Sequence, residues 1–122
     1  MHGPQYQVEE RHGVKVLKVS GHIDAISFGD LASMIVRTIT EATPYLVLDC
    51  QAVRYIESAQ LKHLSELAQT ARNLGGDLLC TGFSPAIESV ALIVNADNSL
   101  RCFRDLPEAV ATLEQCAVSA TA

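Results

Sequence analysis

The stretch from Tyr45 to Leu61, YLVLDCQAVRYIESAQL, constrains the fold more than any other part of the chain. Tyr45-Leu46-Val47-Leu48 is a short apolar run between Pro44 and Asp49, the pattern of a buried strand. A second apolar group, Val53-Tyr55-Ile56, forms a loop into Glu57-Ser58, and a helical pattern starts directly after it. Ser58 is placed to act as N-cap, its hydroxyl accepting a bond from an otherwise unpaired N–H of the first turn. Glu57 adds negative charge where a helix start is partly positive. Function is expected at this polar helix start, on the end of a buried strand.

The flanking segments read as alternating strands and helices. Gln5 to Glu10 alternates with Tyr6 and Val8 on one side. His12-Gly13 is a turn signal, and Val14, Val16, Leu17 and Val19 mark a second strand, so the chain opens with a hairpin. Ser20 to Asp24 reads as a bend. Asp24 and Ser27 can each cap the next helix, which carries Phe28, Leu31, Ala32, Ile35 and Ile39 at helical spacing and closes at Thr43-Pro44. After Ser58, an apolar stripe of Leu61, Leu64, Leu67, Ala68, Ala71 and Leu74 ends at Gly75-Gly76. Asp77 to Thr81 is another buried strand. Ser84-Pro85 starts a helix bearing Ile87, Val90, Ala91 and Val94, broken at Asn95, Asp97, Asn98 and Ser99. Leu100 to Phe103 is a short edge strand, and Asp105 and Pro107 start a last helix through Leu113. Met1 to Pro4 and Ala117 to Ala122 are expected to be loose ends. The resulting order β-β-α-β-α-β-α-β-α predicts an α/β fold with a mixed, mostly parallel sheet of 4–5 strands and about four helices packed against it.

Composition narrows the function classes. A chain of 122 residues fits a single domain, 1–122, with a core spanning about residues 5–115. The net charge is −5 and the basic residues are scattered. That pattern argues against a nucleic-acid surface or a polybasic membrane patch, both of which need clustered Lys and Arg. The sequence has no apolar run of about 18 residues, and the N-terminus lacks a signal-peptide pattern, so no direct membrane insertion and a cytoplasmic location are expected. Cys50, Cys80, Cys102 and Cys116 show no C-x-x-C spacing, and His2, His12, His22 and His63 do not cluster with Cys or carboxylates. Neither a metal nor a cofactor is expected, and the strand cysteines read as small buried hydrophobes. Glycine-rich phosphate cradles are also missing, and no enzyme is expected.

Three stretches in this order resemble the STAS domain family of the bacterial anti-sigma factor antagonist type, over about Val14 to Leu113. Gly21-His22-Ile23-Asp24 is similar to the family's Gly-Glu-Leu-Asp bend. Leu46-Val47-Leu48-Asp49 followed by Ile56-Glu57-Ser58-Ala59-Gln60-Leu61 is similar to its strand and Asp-Ser-Ser/Thr-Gly-Leu motif. Gly75-Gly76-Asp77 and Ser84-Pro85-Ala86 follow as in the family.

The resemblance implies a transcription-regulating signalling module that binds an anti-sigma factor or related switch kinase through Asp24, Glu57, Ser58, Ala59 and Gln60. It also implies that the second hydroxyl residue of the motif is the phosphoacceptor. Here Glu57 replaces Asp, Ala59 replaces that acceptor and Gln60 replaces Gly, so the usual switch is expected to be lost or altered. Ser58 is a weak alternative acceptor because its expected role is the N-cap. The alternative function is a STAS scaffold subunit of a membrane transport complex or of a stress-signalling assembly. The partner system and the oligomeric state stay open at this level.

Overall fold

The computed structural model describes residues 5–94 and 100–121, with side chains as far as residue 117. The loose end expected at Met1 to Pro4 and the break expected at Asn95, Asp97, Asn98 and Ser99 lie outside the described residues. Strands β1 (Gln5–Arg11) and β2 (Val14–Ile23) pair antiparallel. Their turn, His12-Gly13, has φ of 51° and 85°. Positive φ at both central residues is what a tight hairpin matching the strand twist requires. Helix α1 (Phe28–Arg37) continues into a π-helical turn, Thr38–Ala42. Then come β3 (Tyr45–Ile56), α2 (Ser58–Asn73), β4 (Asp77–Thr81), α3 (Pro85–Val94), β5 (Arg101–Phe103) and α4 (Leu106–Thr121).

The sheet order is β1-β2-β3-β4-β5, with β2 through β5 parallel. The expected fold class holds, with five strands and four helices. Each central strand feeds two cores. Leu17, Val19, Leu46, Leu48, Cys50, Leu78 and Cys80 meet α1, α2 and α3 on one side. Val14, Val16, Val47 and Leu79 meet Ala109, Val110 and Leu113 of α4 on the other. This double burial is why β3 and β4 open as continuous apolar runs rather than alternating ones.

Several expectations are corrected. Val53-Tyr55-Ile56 is not a loop. It belongs to β3, which runs 12 residues. Ser20 to Ile23 is strand rather than bend. In α2, Leu61 and Leu64 are fully buried, but Leu67 is half-buried and Leu74, at the C-cap, is 48 % exposed. Backbone helix continues from Ala117 to Thr121, where a frayed tail was expected. Cys50 and Cys80 are buried thiols, whereas Cys102 is exposed. The Cys80 thiol is held well above the ordinary 9.0, first by its hydrogen bond with Cys50 and then by burial. It therefore stays protonated and inert.

The end of α2 fixes the approach of two strands. Gly75 has φ of 91°, its N–H donates to the Arg72 carbonyl, and the Gly76 N–H donates to the Ala71 carbonyl. This pair of bonds is the Schellman stop. Gly76 then lies against Pro44, and a Cβ there would fall 2.1 Å from the Pro44 carbonyl oxygen. The same carbonyl accepts the Asp77 N–H at 3.0 Å. Gly76→Ala would push the starts of β3 and β4 apart, and a loss of about 1–3 kcal/mol in unfolding free energy is expected from overpacking of this kind. A denaturant midpoint unchanged from the parent would show that the two strand starts are not held by this contact.

Candidate functional site

The site expected from the sequence lies where β2 and β3 end. Ile23 and Ile56 are register partners, so the residues that follow, Asp24 and Glu57, leave the sheet from neighbouring parallel strands at the same rim. His22 and Tyr55, also register partners, meet edge to face with ring centroids 6.0 Å apart. The Phe28 and His63 rings lie 5.5 Å apart and tie the start of α1 to the first turns of α2. Topology thus brings both polar turns together.

The Asp24 turn is closed by its own side chain. Asp24 Oδ1 accepts the N–H of Ile26 at 3.0 Å, the N–H of Ser27 at 2.9 Å and the Ser27 hydroxyl at 3.0 Å. The Ser27 Oγ in turn accepts the Asp24 N–H at 3.0 Å. Donation from the Ser27 backbone, then from its hydroxyl, holds the Asp24 carboxyl below its ordinary 3.8. A depressed carboxyl contributes stability above its unfolded value and loses it as pH falls through the folded one. The charge-assisted bonds of the turn are therefore at full strength throughout the neutral range and weaken only as pH falls below the carboxyl's ordinary 3.8. Ser27 is the N-cap residue of α1 but makes no side-chain capping bond.

At the start of α2 the assignment of roles changes. Glu57, not Ser58, is the N-cap, with extended backbone (φ −78°, ψ 155°) and no side-chain capping bond. Its carbonyl accepts the N–H groups of Gln60 and Leu61, both at 3.1 Å. Ser58 is the first helical residue. It is exposed, and its hydroxyl makes no hydrogen bond among the described residues. Ala59 is exposed.

Gln60, expected from the sequence to be a partner contact, is 7 % exposed and presents little surface. The helix phase explains this. Gln60 sits four residues before Leu64 and so shares its inward face. Its Oε1 has no hydrogen-bond partner among the described residues.

Two exposed apolar groups at this rim escaped the sequence reading. Ile26 is 93 % exposed at the tip of the Asp24 turn, and Tyr55 is 50 % exposed beside His22. An isoleucine between two turn-forming residues, Asp24 and Ser27, was the signal available for the first.

Surface concavities of about 340, 790 and 420 Å³ are lined by other residues, none by Asp24 or Glu57 to Gln60. Among the described residues no group of three or more His, Cys, Asp or Glu could hold a metal ion.

The chain matches the model of the STAS domain over residues 5–109 and belongs to that family. Among solved structures, it is similar to an anti-sigma factor antagonist from Mycobacterium paratuberculosis at 25 % identity, with a TM-score of 0.80 over 91 % of this chain and 94 % of that one. It is similar to the Bacillus cell-fate determinant SpoIIAA in its phosphorylated form at 14 % identity and a TM-score of 0.68, over 88 % of this chain and 98 % of that one. It is also similar to part of the murine anion transporter Solute Carrier 26 family member A9 at 15 % identity and a TM-score of 0.65, over 88 % of this chain but 18 % of the transporter. No curated protein matches the chain. Among the described residues no helix is long and apolar enough to cross a membrane.

Proposed function

We propose that the chain is a non-enzymatic, cytoplasmic regulatory module that captures an anti-sigma factor or a related kinase-like protein through the rim formed by the Asp24 turn and the start of α2. The observation that carries this reading is the register of β2 and β3, whose last pair, Ile23 and Ile56, sends the half-buried Asp24 and Glu57 out at the same rim of a STAS domain. Likeness over almost the whole chain to the mycobacterial anti-sigma factor antagonist supports it. Exposed loops carried on a rigid sheet are where binding residues collect. The turn closed by Asp24, together with Glu57, Ser58 and Ala59, forms the contact region, and Gln60 supports it from beneath.

The second reading, a scaffold subunit of a transport complex or stress-signalling assembly, draws on the likeness to part of the murine transporter, which concerns the fold alone. Co-purification from the host separates the two. The first expects an ATP-binding kinase-like protein, the second a membrane protein or a large particle of STAS domains.

Asp24→Lys is expected to weaken capture of the kinase-like protein about tenfold or more while the domain stays folded. The change breaks the turn and reverses a charge at the rim. Calorimetric titration checks the affinity and circular dichroism the fold. Affinity unchanged in both Asp24→Lys and Glu57→Lys would place the interface elsewhere.

A further inference from the structure

Ile26 is the most exposed large apolar side chain among the described residues, at 93 %. It is also displayed on a rigid base. The Asp24 carboxylate binds the N–H groups of Ile26 and Ser27, and the Phe28 N–H donates to the Asp24 carbonyl at 2.9 Å. A turn ordered before contact loses little further conformational freedom on binding, which favours affinity. The half-exposed Tyr55 ring stands on the neighbouring strand end, held edge to face by His22. Glu57 follows one residue after Ile56, and its carboxylate makes no hydrogen bond or ion pair among the described residues. The rim therefore combines an apolar tip, an aromatic side chain and one carboxylate without an internal partner. Interfaces concentrate their energy in a few such apolar and aromatic anchors, surrounded by a polar border.

We infer that Ile26 is the anchor of the partner face, entering an apolar pocket on the captured protein, and that Asp24 is a positioning residue that holds Ile26 out rather than a charge that meets the partner. This deepens the function proposed above and rests on it. The partner chemistry follows from the same surface: an apolar pocket, with a cationic group at its edge to face Glu57. Asp24 does not supply that charge contact, because its carboxylate is already engaged by its own turn.

Asparagine separates the two roles of Asp24, since its side-chain oxygen still accepts the turn's N–H groups while the charge is gone. The experiment titrates the chain and its variants against the purified anti-sigma factors of its host. Asp24→Asn is expected to bind within about threefold of the parent, and Asp24→Ala about tenfold or more weaker. Ile26→Asp is expected to lose about 30-fold or more, as an anchor does. It should melt at the parent's temperature, because the replaced side chain is almost wholly exposed. Amide exchange supplies a readout that needs no partner: protection at Ile26 and Ser27 survives Asp24→Asn and is lost in Asp24→Ala. Parent-like affinity in Ile26→Asp, or equal losses in Asp24→Asn and Asp24→Ala, overturns this inference and leaves the proposed function standing. A parent chain that binds none of those anti-sigma factors overturns both.

Discussion

Leu64→Ala is expected to lower the unfolding free energy by about 2–5 kcal/mol, the range for deleting a buried leucine in a site that cannot collapse. Leu64 is 1 % exposed, and its helix face packs into the core shared by α1, α2 and α3. Leu61, Ala68 and Ala71 flank it along that face, while Leu46, Leu48 and Leu78 form the sheet beneath. Strand and helix backbones fix these neighbours, so the space left by the side chain stays largely empty. Denaturant titration checks the result as a shift of midpoint at unchanged slope. A cost near zero would place Leu64 on the surface and overturn the phase of α2. The loss should also weaken partner capture little at temperatures where the variant stays folded, because Leu64 supports the rim only through the helix.

The same helix shows what the sequence made legible. Spacing of three and four residues between Leu61, Leu64, Ala68 and Ala71 identified the buried stripe, and Gly75-Gly76 identified its stop. The end of β3 was less visible. Its buried positions on the helix-rich side are Leu46, Leu48, Cys50, Val53 and Ile56. The first three follow the strand period of two, and the last two are spaced by three. Each longer step coincides with a register shift against β2, where Lys18 pairs with Asp49 but Ser20 with Ala52, and Gly21 with Val53 but His22 with Tyr55. Each shift inserts one extra residue into β3, as a bulge does, and breaks the alternation that announces a strand. The exposed Gln51, Ala52, Arg54 and Tyr55 completed the appearance of a loop.

That Asp24 and Glu57 stand at element starts was legible in the sequence, but the local geometry around them was not. That Asp24 turns its carboxylate inward to its own backbone depends on the turn's closure. That Gln60 is buried follows from helix phase, a signal outweighed by the resemblance of its neighbours to an exposed motif. Ser58 shifted by one position: the N-cap is the residue with extended backbone, and β3 continues far enough to give that place to Glu57.

That one-residue shift bears on regulation. Ala59 is exposed in the first turn of α2 and carries no hydroxyl, so no phosphate can be placed there, and capture is expected to be constitutive and set by abundance. Ala59→Ser restores an acceptor without disturbing the core, because position 59 faces solvent. Gln60 does not stand in the way, since its side chain is buried. Incubated with ATP and the captured kinase-like protein, Ala59→Ser is expected to gain one phosphate by intact-mass analysis. The phosphorylated form should bind about tenfold or more weakly, because roughly −1.5 to −2 charges are added beside Glu57 in the proposed contact surface. The parent chain, treated identically, should remain unmodified. Ser58 is the group that could contradict this: its hydroxyl is exposed, is not engaged in capping and lies one residue away. A stoichiometric phosphate mapped to Ser58 in protein isolated from the host would show that the switch has moved by one position, and capture would then be phosphoregulated rather than constitutive.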